Sequence, residues 1–527
     1  MKKTVVLLLA VTLLLSACQF SEQDISNEHG SGERGGSSVV DGSAGSTPAG
    51  GDPAQDDVPE TSELSLPLIS IESVNVQRYA KDGETLLVEI TRDNMTLSGD
   101  GFEKAADAVK KHFYRTEEDL SRQADDLVEM AMDQYMATKD SNSWFSPYGS
   151  RTSYEVTRLD ANVLSVKINS YDYEGGAHGY GAEWGTTIDL KNGAELALSQ
   201  LAENAPGFMN KVLEVVLEDL GGRQEEDDLF DGYDSYVKQH IEETGWYLDA
   251  AGIVIVYTPY EIGPYASGNI AVQIPYNEVA EYMKAEYLPT QGNYISRLPM
   301  GYKVTTKLSD GVCTVLWTRE HVGPFDDFET TITVNGGNSL VDPMVSVQHA
   351  YLMWRQDGRC FLIFDIDWAS DDFETYVYEL GAGGAVQTAD IWAALDGTNI
   401  GMNSMRLRFT LNVLGTYISR MSYALTEDGG LEPLEELYTF TPDREWQGLT
   451  TVKELPVTVN GQQTTLPAGT SLYIDATDNA GTAWFTTDEA SGMASGEIHY
   501  ERREDDYQLY INGISEYEYF EMLPYAG

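Results

Sequence analysis

Seven histidines, several acidic loops and two tyrosine-rich segments hold the residues of this chain that could do chemistry. The histidines are His29, His112, His178, His240, His321, His349 and His499. No two stand at the HxH, HxxH or HxxxH spacing by which a single strand or helix offers two ligands to zinc. No Gly-x-Ser-x-Gly elbow accompanies them, and no cysteine sits in a nucleophile context. No catalytic residue and no cofactor is assigned on sequence, although a triad assembled from distant positions stays open.

Two constellations stand out as binding candidates. The first is Tyr173-Glu174-Gly175-Gly176-Ala177-His178-Gly179-Tyr180. Gly175 and Gly176 can bring the backbone close to a ligand, with His178 and the tyrosines supplying polar and stacking contacts. The alternative is a structural turn with positive φ, which His178 holds by a hydrogen bond. The second is Tyr260-Glu261-Ile262-Gly263-Pro264-Tyr265, after the apolar run ending at Tyr257. Pro259 and Pro264 stiffen this loop. Glu261 could accept a basic side chain or a sugar hydroxyl, or satisfy amides of its own loop. Glu174, Glu183 and Glu261 are the carboxylates a glycosidase reading would use, but that chemistry needs defined separations in space. Asp227, Asp228, Asp231 and Asp234 around Gly232, and Asp365, Asp367, Asp371 and Asp372, do not fit the EF-hand register. They read as solvated acidic loops.

The elements that must position these residues change along the chain. Ser70–Val76 and Glu84–Thr91 alternate as strands around a Lys81-Asp82-Gly83 turn. Leu120, Ala124, Leu127, Val128, Ala131, Met132 and Tyr135 recur at three and four, predicting an amphipathic helix capped by Thr116 and Asp119. Strands resume at 153–157 and 163–168. A second helix is predicted over Pro206–Leu220, with Phe208, Val212, Val216 and Leu220 on one face. Strands at 253–257 and 270–274 and a short helix over Asn277–Tyr287 close this region. Helices separate groups of strands rather than alternating with them, so the expected fold is α+β: a mixed sheet with packed helices. From Tyr294 the pattern is β-rich. Val457-Thr458-Val459-Asn460-Gly461-Gln462 is a strong hairpin signal, and the last stretch of short strands suggests a small SH3-like or related barrel. The expected organisation is therefore 66–293 α+β, 294–448 β-rich and 449–527 small barrel.

Charge and cysteine usage narrow the function class. The formal charge is −52, which disfavours nucleic acid and favours a cationic partner or plain solubility. Met1-Lys2-Lys3 precedes an apolar run, Val5–Leu15, too short for the ~20 residues of a membrane span. Leu15-Ser16-Ala17-Cys18 resembles the bacterial lipobox, which implies that Cys18 is lipidated and that residues 1–18 form a lipoprotein signal peptide. Residues 19–65 read as a flexible Ser/Gly/Pro/acidic tether. Cys313 and Cys360 both lie in apolar strand-like runs. They could form a disulfide if their Cα atoms lie within about 7 Å, or remain two buried thiols.

Tyr173–Gly179 and Tyr257–Gly268, the latter leading into Ile274-Pro275-Tyr276, together resemble the extracellular domain shared by the lysozyme-sensing anti-sigma factor RsiV and peptidoglycan deacetylase C. The resemblance spans roughly Leu66 to Pro289 and implies a mixed α/β unit with a binding role at the cell envelope. The sequence departs from both relatives. Only four residues precede the apolar run, where an anti-sigma factor needs a cytoplasmic segment. Phe325-Asp326-Asp327 is similar to the deacetylase acidic motif, but no paired histidine follows. The expectation is a surface lipoprotein, extracytoplasmic and anchored to the membrane through Cys18. Its partner would be a cell-wall glycan or a basic protein such as lysozyme. A polysaccharide or peptidoglycan hydrolase and a purely structural envelope lipoprotein are the alternatives.

Overall fold

The computed structural model describes residues 66–141, 143–289, 292–322, 327–368, 372–397, 399–440, 448–488, 490–503 and 506–526. Cys18, the signal and tether segments, His29, Phe325, Asp326 and Asp371 lie outside these residues. Within them the chain divides into two compact units.

The first unit starts with a long antiparallel hairpin, β1 (Leu68–Tyr79) and β2 (Leu86–Ser98), in register from Leu68↔Ser98 to Arg78↔Val88, with a shift before Tyr79↔Leu86. Two helices follow, α1 (Glu103–Phe113) and α2 (Glu117–Ser141). Asp119 accepts from the Thr116 amide at 3.0 Å, and its own amide donates to Thr116 Oγ1 at 3.1 Å. This reciprocal box is the predicted start of α2. Leu120, Ala124, Leu127 and Ala131 of α2 pack on Val76, Leu87, Val88 and Ile90 of the hairpin.

The chain then enters β3 (Tyr148–Leu159), β4 (Val163–Tyr173), β5 (Tyr180–Asp189) and the short β6 (Ala194–Glu195), all antiparallel neighbours. β3 shares one edge between two partners. Its start pairs parallel with β2, Val88↔Tyr148 to Arg92↔Thr152, and its end pairs with β10 (Tyr294–Arg297). One parallel pair among antiparallel ones makes the sheet mixed, as expected. The parallel step requires a crossover, which α1 and α2 supply.

The rest of this unit is a helical layer over a small sheet. α3 (Ala205–Gly222) is capped by Asn204 and buries Phe208, Val212, Val216 and Leu220 completely, the predicted face. α4 (Tyr233–His240) precedes the sheet β7 (Gly245–Leu248), β8 (Gly252–Tyr257) and β9 (Ile270–Pro275). Ile253, Ile255, Tyr257, Val272 and Ile274 join the α3 face in one core. The helix expected over 277–287 is cut short, with α5 covering only Tyr276–Val279. The Lys284 amide donates instead to Leu201 O at 2.8 Å, and Met283 bridges Ala202, so cross-chain bonds replace the helical ladder. Beyond β10, β11 (Val304–Leu308), β12 (Gly311–Val322) and β13 (Asp327–Val334) form a three-stranded antiparallel sheet.

Strands β14 (Ser346–Trp354), β15 (Cys360–Asp367), β16 (Phe373–Gly381) and β17 (Gly384–Ile391) are each divided between the two units. The remainder of the second unit is built from strands. β18 (Ala394–Leu395), β19 (Met405–Asn412), β20 (Thr416–Leu425) and β21 (Leu431–Pro433) form one sheet, and a seven-stranded sheet follows. In the latter, Asn460 and Gly461 turn with φ of 51° and 73°, and Val459 pairs with Gln462. This is the two-residue primed turn the Asn-Gly pair predicts. The α+β-then-β order is as expected. The closing strands lie in open sheets with distinct edges, and no closed barrel forms among the described residues. No helix among them is long and apolar enough to cross a membrane.

Candidate functional site

The two tyrosine-rich segments meet in the first unit. The turn between β4 and β5 and the loop between β8 and β9 place the His178 ring on the Tyr265 ring, with centroids 4.0 Å apart and planes at 10°. Tyr265 donates its hydroxyl to Gly179 O at 3.0 Å. His178 Nδ1 lies 2.9 Å from the same carbonyl oxygen. A carbonyl can only accept, so Nδ1 carries the hydrogen. Nε2 has no hydrogen-bond partner among the described residues. Tyr260 stands beside this stack, its ring 6.0 Å from that of Tyr265, and it is 45% exposed. Its φ of 76° is unusual for a bulky residue and holds the ring out of the loop. Tyr171 and Tyr180 add two more exposed rings on the neighbouring strands.

The remaining candidates divide between scaffold and surface. Tyr173 is buried in the α2 core, packs edge-on to Tyr148 at 6.0 Å and donates to Gly176 O at 3.1 Å. Gly175 and Gly176 have φ of 85° and 96°, so the chain turns there as left-handed backbone. Gly179 has a different reason to be glycine: a Cβ would come within 2.3 Å of the Tyr171 ring. Glu261 accepts from the Thr258 amide and from the Tyr236 hydroxyl at 3.1 Å. One face of its carboxylate thus closes its own loop.

Glu261 also lines a cavity of about 610 Å³ with Trp184, Glu195, Glu242, Glu243 and Trp246. Among the described residues none of these four carboxylates pairs with a lysine or arginine. Their basic neighbours are histidines: His112 Nδ1 lies 3.8 Å from Glu195, and His240 Nδ1 lies 3.5 Å from Glu243. The cavity exists because β5 and β7 approach closely, where a Cβ on Gly185 would fall 2.2 Å from Trp246 O. Tryptophan walls and uncompensated carboxylates form an environment for an organic cation.

Sequence reasoning did not find a second charged group, buried in the sheet. Lys167 Nζ lies 2.8 Å from Glu155 and 3.7 Å from Glu183, and Arg297 lies 2.7 Å from Glu155. Tyr351 donates to Glu155 at 3.2 Å. Burial, with Glu183 adding, pushes the nearby Tyr247 hydroxyl far above its ordinary range. The only available signal was a charge interrupting an apolar strand, as in Val166-Lys167-Ile168. Glu183 therefore has a fixed cationic partner. Of the acidic loops, Asp227 pairs with Arg223 at 3.0 Å and Asp234 with Lys238 at 2.7 Å. No group of three His, Cys, Asp or Glu side chains among the described residues is placed to hold a metal ion. Cys313 and Cys360 are buried free thiols.

Comparison with known proteins locates these features. Residues 90–180 match the family model described as deacetylase PdaC, and residues 199–277 match the one described as a protein of unknown function, DUF3298. His178 belongs to the first match and Tyr265 to the second. A solved DUF3298 family member from Bacteroides fragilis is 18% identical, with 41% of this chain and 94% of that chain covered and a TM-score of 0.33. One from Pseudomonas aeruginosa is 15% identical, with 43% and 99% covered and a TM-score of 0.30. No curated protein matches the chain. The chain carries a PdaC-type and a DUF3298 domain in that order, consistent with an RsiV-type domain, and such domains are typical of extracytoplasmic, envelope-associated proteins.

Proposed function

We propose that the PdaC-type and DUF3298 region is a recognition module for a basic protein at the cell envelope, displayed outside the cytoplasm on lipid attached to Cys18. The observation that carries this reading is the cavity of Glu195, Glu242, Glu243 and Glu261, whose carboxylates have no lysine or arginine partner among the described residues. In the same unit, the His178–Tyr265 stack and Tyr260 supply a stiff aromatic surface of the kind that anchors protein interfaces. An acidic cavity of this sort draws a cationic side chain and speeds encounter with a basic partner. The chain's overall charge of −52 acts in the same direction.

The test is a calorimetric titration of the purified chain with lysozyme as the basic probe. Saturable binding that weakens steeply with salt is expected. A variant with Glu195, Glu242 and Glu243 all changed to Gln should lose at least tenfold in affinity, about 1.4 kcal/mol or more. Absence of saturable binding at low salt would refute lysozyme as partner, and unchanged affinity in the triple variant would refute the cavity. Lipidation is tested separately by the mass of the mature N-terminus, where an unmodified Cys18 would sink that part.

A further inference from the structure

The second unit presents an aromatic surface that plays no part in the reading above. Phe364 of β15 and Trp368, just past the end of that strand, meet Glu374, Tyr376 and Tyr378, which share one face of β16 by strand parity. Phe364 is fully buried. Its ring lies 5.6 Å from that of Tyr376, at 27°, and 5.8 Å from that of Tyr378, at 10°. Trp368 is 45% exposed.

Beneath this surface lies a buried carboxylate. Glu374 is only 7% exposed, and its Oε2 accepts from Trp368 Nε1 at 3.0 Å and from the Tyr376 hydroxyl at 2.6 Å. Among the described residues no lysine or arginine pairs with it. Burying a carboxylate without a cation is costly, and core packing does not demand it here, because the indole it holds is half in water. What the arrangement achieves is orientation: an exposed indole and a half-exposed phenol are locked by side-chain bonds rather than left to rotate. Such support under a surface group is the mark of a pre-organised binding site. A polar rim adjoins the rings. Tyr378 donates to Gln387 Oε1 at 3.2 Å, and Gln387 Nε2 donates to Asp390 at 3.1 Å; both rim residues are exposed.

We propose that this surface binds an uncharged polysaccharide chain. A sugar ring has an apolar C–H face and a hydroxyl edge, and the surface offers aromatic rings for the first and an amide and a carboxylate for the second. The charges select against anionic glycans, since Asp372 and Asp390 flank the rings. Arg408 stacks over Phe373 at 4.7 Å, and strand parity puts Phe373 on the opposite face of β16. The inference is independent of the recognition module in the first unit.

The test uses the whole chain in native gels containing a soluble cellulose ether, and fluorescence titration with chitohexaose. Retardation in the gel or saturable quenching with chitohexaose is expected, and Trp368→Ala should abolish either. Trp368 is on the surface, so this variant folds, which its circular dichroism verifies. Trp144→Ala, which removes an exposed indole of the other unit, should bind as the parent does. Glu374→Gln should weaken binding several-fold, because the amide keeps the shape but weakens the bonds that fix the rings. No interaction with either glycan, or equal binding by Trp368→Ala, would overturn the proposal. Binding to an envelope protein but to neither glycan would reassign the surface to protein docking and overturn it equally.

Discussion

His178 and Tyr265 are stacked face to face at 4.0 Å, and both lean on the single carbonyl oxygen of Gly179. One residue comes from the turn after β4 and the other from the loop after β8, so the pair welds two segments far apart in the chain. Aromatic pairs contribute about 0.5–1.5 kcal/mol beyond their burial. His178→Ala is expected to lower stability by about 1 kcal/mol in urea unfolding and to reduce lysozyme binding at least tenfold. Tyr265→Phe keeps the stack and loses only the bond to Gly179, so its binding loss should be several-fold smaller. Equal binding by all three proteins would show that the stack is scaffold alone.

Asp249 sets a pH dependence. Burial pushes its carboxyl up to about 6, against the pull of bonds from the Ala251 and Gly252 amides and from Gln273. Its folded value lies above the ordinary aspartate range, so the folded state holds the proton more tightly than the unfolded chain. This group therefore adds stability as pH falls from about 7 toward 4, and withdraws it as pH rises through about 6. A shift of this size is worth at most ~3 kcal/mol. Asp249→Asn should remove that slope, measured as the difference in urea midpoint between pH 5 and pH 7. A parent-like slope in the variant would place the titration elsewhere.

Arg158 is the hub of the first unit. Fully buried, it donates to Asp160, to the Tyr276 hydroxyl and to the carbonyls of Tyr287 and Leu288. Arg158→Ala leaves Asp160 charged and buried without its partner, which costs about 3–5 kcal/mol. Thermal unfolding should show a large loss of stability. Arg158→Ala/Asp160→Ala together should recover part of it, because no uncompensated charge remains.

The two buried cysteines should be silent in the native chain. Burial pushes the Cys313 thiol up to about 11, with Asp310 adding, and burial with Cys313 nearby raises Cys360. The thiolate is the reactive form. In a Cys18→Ser chain, a chromogenic disulfide reagent at pH 8 should report no thiol before unfolding and two reactive thiols, those of Cys313 and Cys360, in denaturant without reductant. None in denaturant would mean that the pair is bridged.

Much of this arrangement was written in local sequence. The three-and-four spacing from Leu120 to Tyr135 and the Thr116–Asp119 box specify α2, because both are decided within one turn of helix. Asn460-Gly461 specifies its hairpin for the same reason. The candidate site was half legible: the paired motifs pointed to His178 and Tyr265, and the structure stacks them. Tyr173 was drawn into the same candidate set, yet it packs inward, where Tyr148 and the apolar face of α2 cover it. The carboxylate cavity was not legible. Glu195 ends β6, Glu242 and Glu243 lie between α4 and β7, and Glu261 follows β8; the close approach of β5 to β7 at Gly185 gathers them. α1 and α4 also escaped notice, being short helices whose apolar faces are completed by other parts of the chain. Lys167, Glu155 and Arg297 drew no reading from the sequence, because each partner lies on a different strand.

The reach of Arg158 also dictates when this unit can become whole. Its guanidinium closes on backbone carbonyls 129 and 130 positions later in the chain. Until that stretch has been made, β3 carries a buried-type cation with half its contacts missing, and its far end lacks β10. A nascent chain ending short of Leu288 is thus an open form, with a charged core seam exposed to proteases and chaperones. Maturation of the unit is decided late, by the arrival of its own tail.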